Sequence, residues 1–135
     1  MCIRTADFTD DELADMGGQV AAYKSFRDVM VAGSAALRTS QAAVTGGPSW
    51  DAVQISAADG ARVVIDAFQA DLDSAPTTIT PFDLDPTATY DVRSLDTGPL
   101  GEATGADLVN GGIDVGTWTD SAAHILVLTR RGQSM

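Results

Sequence analysis

The stretch Thr9-Asp10-Asp11-Glu12-Leu13-Ala14-Asp15-Met16-Gly17-Gly18-Gln19-Val20-Ala21-Ala22-Tyr23-Lys24-Ser25-Phe26-Arg27-Asp28-Val29-Met30-Val31-Ala32-Gly33 decides how this chain divides. Leu13, Met16, Val20, Tyr23, Phe26 and Met30 recur at threes and fours, which predicts one long amphipathic helix over Thr9 to Ala32. Thr9 and Glu12 form a capping box, and the acids of the first turn suit the positive end of the helix dipole. Gly17-Gly18 weakens the pattern and marks a point for a kink. Gly33 reads as a left-handed terminator. An apolar stripe this long needs a surface to pack on.

After Gly33 no further segment reads clearly as helix. Ser34 to Pro48 is small and polar and ends in Gly46-Gly47-Pro48. Strands are expected over Trp50 to Ser56 and Ala61 to Gln69, with Asp59-Gly60 as the tight turn between them. Thr77 to Phe82 reads as an edge strand, because Pro81 cannot donate to a ladder. Tyr90 to Leu95, Ile113 to Trp118 and Ala122 to Arg130 follow, and Asn110-Gly111-Gly112 reads as a turn. The expected fold is mainly β: an antiparallel, Greek-key-like β-sandwich of six to eight strands preceded by one long α-helix. The corresponding division is 1–33 helix, 34–48 linker and 49–131 sandwich. A lone helix ahead of an all-β domain suggests the end of a larger protein.

Composition narrows the function. The 135 residues carry 8 Lys and Arg against 19 Asp and Glu, a formal charge of −11. That surface repels phosphate backbones and anionic headgroups, so neither nucleic acid nor a membrane is an expected partner. No apolar run is long enough to span a bilayer, and the start shows no signal-peptide core, which points to the cytoplasm. Cys2 stands alone and implies no internal disulfide.

The order of signals resembles the C-terminal end of glycoside hydrolase family 36 and its melibiase-like α-galactosidases. The residues that carry the resemblance begin with Tyr23, Lys24, Arg27 and Gly33 in the helix. Trp50, Asp59 and Val63-Val64 follow in the hairpin, then Asp83-Leu84-Asp85-Pro86 and Tyr90-Asp91-Val92. Thr104-Gly105-Ala106-Asp107-Leu108-Val109-Asn110-Gly111-Gly112-Ile113 and Ser121-Ala122 with Ile125 and Leu128 complete the match, over about residues 8–130. Ala36-Leu37-Arg38 and Asp83 depart from the family's pattern and mark a divergent sequence. The resemblance implies that the helix is the last of a (β/α)8 barrel and that the rest is the sandwich behind it. It also implies a parent that hydrolyses α-galactosides with retention, through two carboxylates about 5–5.5 Å apart at barrel-strand ends. No barrel-strand motif occurs in this chain, so no catalytic residue is carried over.

The residues themselves offer little chemistry. His124, the only histidine, alternates on an apolar strand, as a structural histidine does. No Gly-x-Ser-x-Gly elbow is present. Asp71/Asp73 and Asp83/Asp85 are oxygen donors without the spacing of a calcium loop, and turns favour aspartate for local hydrogen bonds. No metal and no cofactor are expected. Trp50 and Trp118 are the candidates for stacking on a galactoside, with core packing as the competing account. Lys24 and Arg27 lie one turn apart, and Asp28 offers Lys24 an ion pair at four residues' spacing. The expected role is a non-catalytic module whose partner is the barrel, or a second copy, met through the helix stripe. A stand-alone carbohydrate-binding module and a self-association domain are the alternatives.

Overall fold

A computed structural model describes residues 7–39, 50–69, 77–115 and 123–132. Helix α1 (Asp10–Ala32) leads. The strands β1 (Ser34–Leu37), β2 (Trp50–Ser56), β3 (Arg62–Gln69), β4 (Thr78–Ile79), β5 (Thr89–Ser94) and β6 (Gly98–Thr104) follow. A short helix α2 (Gly105–Gly111), β7 (Ile113–Asp114) and β8 (Ala123–Arg130) complete the described elements.

Six strands form one antiparallel sheet in the order β1-β2-β3-β8-β5-β6, and β4 pairs with β7 in a second, two-stranded sheet. Alternation along the large sheet splits its side chains between two faces. One face meets the small sheet, α2 and the loop between β4 and β5 in a core containing Ile65, Tyr90, Leu126, Leu128, Ile79, Leu108 and Val115. The other face carries Ile55 and Val64, covered by Phe26 and Val29 of α1. The architecture is therefore mainly β, as expected, with a helix on one side of the sheet and a thin second sheet on the other.

The helix start follows its sequence signal. Glu12 Oε2 accepts from the Thr9 amide at 2.8 Å, and Thr9 Oγ1 accepts from the Glu12 amide at 3.3 Å. The Thr9 amide and, at 2.9 Å, the Thr9 hydroxyl both donate to that carboxylate and hold it below its usual range. The two glycines at 17 and 18 do not interrupt the helix. Gly33 is not left-handed: its φ of −82° and ψ of 171° are extended. It must be small instead, because a Cβ there would lie 2.5 Å from the Val29 carbonyl oxygen and 2.7 Å from that of Ser56. The chain passes at once into β1, so the first four residues of the expected linker are an edge strand paired with β2.

Two further elements depart from the sequence reading. Gly98-Pro99, a pair that usually breaks a strand, opens β6, which pairs with β5 across a register shift between Val92 and Arg93. Asn110 and Gly111, expected in a turn, are the end of helix α2, with Gly112 as its C-cap; Thr104 caps the start, its hydroxyl accepting from the Asp107 amide at 3.1 Å. Seven residues carry too few periods to announce a helix, so the Thr104-to-Asp107 spacing was its only signal. The hairpin turn is as expected: Gly60 has a φ of 65°, and Asp59 accepts from the Ala61 amide at 2.9 Å.

Candidate functional site

The motif residues that lie far apart in sequence meet on the core side. The Tyr90 hydroxyl accepts from the Asp85 amide at 3.1 Å, which ties β5 to the Asp83-Leu84-Asp85-Pro86 turn. Asp83 takes a left-handed φ of 54° in that turn, and Asp85 accepts from the amide and hydroxyl of Thr87. Those two hydrogen bonds keep the Asp85 carboxyl below its usual range. A Cβ on Gly105 would lie 2.1 Å from the Asp85 carbonyl oxygen, so α2 starts against the turn only as glycine. A Cβ on Gly112, whose φ is 72°, would lie 2.3 Å from Thr78 Cγ2 of β4. The aspartates here serve turn geometry. Among the described residues no group of three His, Cys, Asp or Glu side chains could hold a metal ion.

His124 and Trp50 lie at one end of the same core. The histidine is 1 % exposed, its Nε2 is 3.0 Å from Gln69 Oε1, and its Nδ1 is 3.6 Å from Asp96 Oδ2. Its ring stands 5.8 Å from the Trp50 indole. Trp50 is 8 % exposed and belongs to the core cluster, so in this structure its indole packs against protein. Trp118, Asp71, Asp73 and Cys2 lie outside the described residues.

The helix face is different. Only Phe26 and Val29 of α1 are buried. Met16, Val20 and Tyr23 of the predicted stripe are exposed, Tyr23 to 50 %, with its ring edge-on to Phe26 at 5.7 Å. Lys24 and Arg27 lie on the exposed part of the helix. Asp28 does not pair with Lys24 as the spacing suggested. It bonds the Arg62 guanidinium at the start of β3, which lowers its pKa and ties the last turns of α1 to the sheet. A planar, forked cation held by the sheet competes well against a flexible lysine on the same helix. Beneath the helix a cavity of about 640 Å³ opens between Gly18, Tyr23 and Phe26 on one side and Leu95, Thr97 and Ile125 on the other.

No protein-family model and no curated protein sequence matches the chain. Solved structures do. The α-galactosidase from Lactobacillus brevis superposes with a TM-score of 0.76 at 20% identity, covering 98% of this chain and 18% of that one. The fold is that of one segment of an α-galactosidase. AgaB, a glycoside hydrolase family 36 α-galactosidase of Geobacillus stearothermophilus, gives 0.73 at 19% identity over 93% of this chain and 17% of its own. The galactosidase domain of the α-galactosidase–sucrose kinase AgaSK gives 0.69 at 18% identity with the same coverage. The chain thus spans about a sixth of the length of the α-galactosidases it resembles. The helix is part of the shared fold in these comparisons, since at least 93% of the chain is covered. No helix of the described residues is long and apolar enough to cross a membrane.

Proposed function

We propose that this chain is the non-catalytic C-terminal β-sandwich module of an α-galactosidase-like retaining glycoside hydrolase. In this reading α1 is the last helix of the (β/α)8 barrel, and the sheet behind it braces that barrel. The observation that carries the reading is the exposed stripe of Met16, Val20 and Tyr23 on a helix whose other end is docked. A helix covered on both sides suits a position between sheet and barrel, and the chain's share of its structural relatives leaves room for such a barrel. The local chemistry agrees with a bracing role: Asp85 is engaged in a turn and His124 is enclosed. The burial of Trp50 speaks against a sugar platform at that residue.

The test compares two polypeptides on p-nitrophenyl α-galactoside. The 135-residue chain alone is expected to show no turnover above background, whereas a polypeptide with a family 36 barrel continuous with α1 is expected to hydrolyse it. Hydrolysis by the chain alone at enzymatic rates would overturn the reading. The exposed stripe also favours a second reading, pairing of two copies through α1, for which light scattering at high concentration would give a dimer.

A further inference from the structure

Six of the large apolar side chains exposed among the described residues belong to α1 or to the sheet face beneath it: Met16, Val20, Tyr23, Val31, Leu37 and Phe68. At about 100° per residue, Met16, Tyr23 and Met30 share one flank of α1, roughly a quarter turn from the Phe26–Val29 contact. The opposite flank carries Asp28, which is bonded to Arg62. Register places Leu37 beside Val53, Val53 beside Asp66, and Asp66 beside Ile125, all on the helix face, with Phe68 two residues further along β3. The Tyr23 flank therefore lies toward the Val53, Asp66 and Phe68 side of the sheet, through the cavity it shares with Ile125, the cross-strand neighbour of Asp66, and Asp51 stands opposite Phe68 on that face.

Asp66 is the anomaly on that side. It sits at the middle of a central strand between Val53 and Ile125, partly buried. Burial is the sole influence on its carboxyl, which it pushes up; no hydrogen bond or charge from a described residue opposes it. Arg62, the cation on its own strand, is engaged by Asp28. A carboxylate partly withdrawn from water without a donor carries a cost, which falls when a donor arrives from outside. A second copy of this chain brings the same excess of acid, whereas a basic side chain with an apolar stem fits both the carboxylate and its surroundings.

We propose that the corner between α1 and β3 receives the catalytic barrel, and that Asp66 accepts the head of an arginine or lysine on the barrel whose stem lies along Tyr23 and Phe68. This rests on the module reading given above. The probe for the isolated chain is hexylguanidinium, titrated by NMR against wild type, Asp66→Asn and, as a charge control, Asp15→Asn. Binding weakened about tenfold by Asp66→Asn alone, with hexanol indifferent to both variants, is the expected result. Equal binding to wild type and Asp66→Asn overturns the proposal. Asp66→Asn should also raise the melting temperature of the isolated chain by about 2–4 °C, because an unpaired charge is removed; a fall would show an internal partner and overturn it. In the barrel-containing polypeptide the same substitution should lower the melting temperature. No loss there, or a dimer of the isolated chain that Asp66→Asn dissolves, would remove the barrel as occupant. The module reading itself fails separately, by galactoside hydrolysis from the isolated chain.

Discussion

On the core face of the sheet, Tyr90, Ile65, Leu126 and Leu128 are fully enclosed, and the buried amide of Gln54 spans both backbone groups of Phe82 at 3.1 and 2.9 Å. Arg38 adds a second tie on that side, donating to the Thr80 carbonyl and lying 4.5 Å over the Phe82 ring. On the helix face, Phe26 and Val29 cover Ile55 and Val64, while Tyr23, Phe68 and Leu37 remain about half exposed and no described residue donates to Asp66. Among the described residues the first face is closed, whereas the second leaves large apolar side chains open to solvent. Burial of apolar area stabilises a fold only where both sides of the contact exist, so the two faces should respond differently to the same kind of substitution.

The largest contrast is expected between Leu126→Ala and Val20→Ala. The first empties a fully buried site and should cost about 2–5 kcal/mol in urea denaturation of the isolated chain. The second should change it by less than about 0.5 kcal/mol, because Val20 is half exposed. If a barrel covers the stripe, Val20→Ala should cost about 1–2 kcal/mol in the longer polypeptide. Similar losses for both substitutions in the isolated chain would break the comparison between the faces.

A polar version of the contrast is smaller. Gln54→Leu leaves the Phe82 N–H and carbonyl on the core face without their partners and should cost about 1–3 kcal/mol by the same measurement. A neutral result would mean that the other ties of the loop, among them Arg38 to the Thr80 carbonyl, hold it without Gln54.

The smallest effect lies in pH. Burial raises the Asp66 carboxyl in the folded chain, so above the ordinary aspartate range it detracts from stability. On acidification the folded state takes up the proton first, and the penalty fades as pH falls toward the ordinary aspartate value. Asp28 runs the other way: its carboxyl is lowered, so its contribution is present at neutral pH and is lost as pH falls through the folded value. The advantage of Asp66→Asn over wild type in thermal melts should therefore be greatest near neutrality and vanish by about pH 4. A constant advantage across that range would mean that the carboxylate is not the cause.

Much of the fold was legible residue by residue. Thr9 and Glu12 announced the start of α1, and β2 and β3 lie where strands were expected, within 50–56 and 61–69. Asp59-Gly60 announced their turn, because each of these signals is a local match of side chain to backbone. The stripe on α1 was legible too, but its two ends have different fates, and that difference is not local. Gly33 was read as a terminator when its smallness answers a carbonyl from β2. Lys24 seemed the partner for Asp28 until the sheet brought Arg62 to it. Helix α2 was hidden by its brevity.

Sequence alone thus determined where helix and strands begin, which side chains alternate, and that the leading helix has an apolar face too long for ordinary solvent exposure. Only the tertiary structure decided that β8 enters between β3 and β5, that Trp50 and His124 are enclosed, and that α1 is docked by its last turns alone. The reason is range. Caps, turns and periodicity act within a few residues, whereas strand order, the burial of one face and the partial burial of Asp66 depend on segments that meet only after the chain has folded.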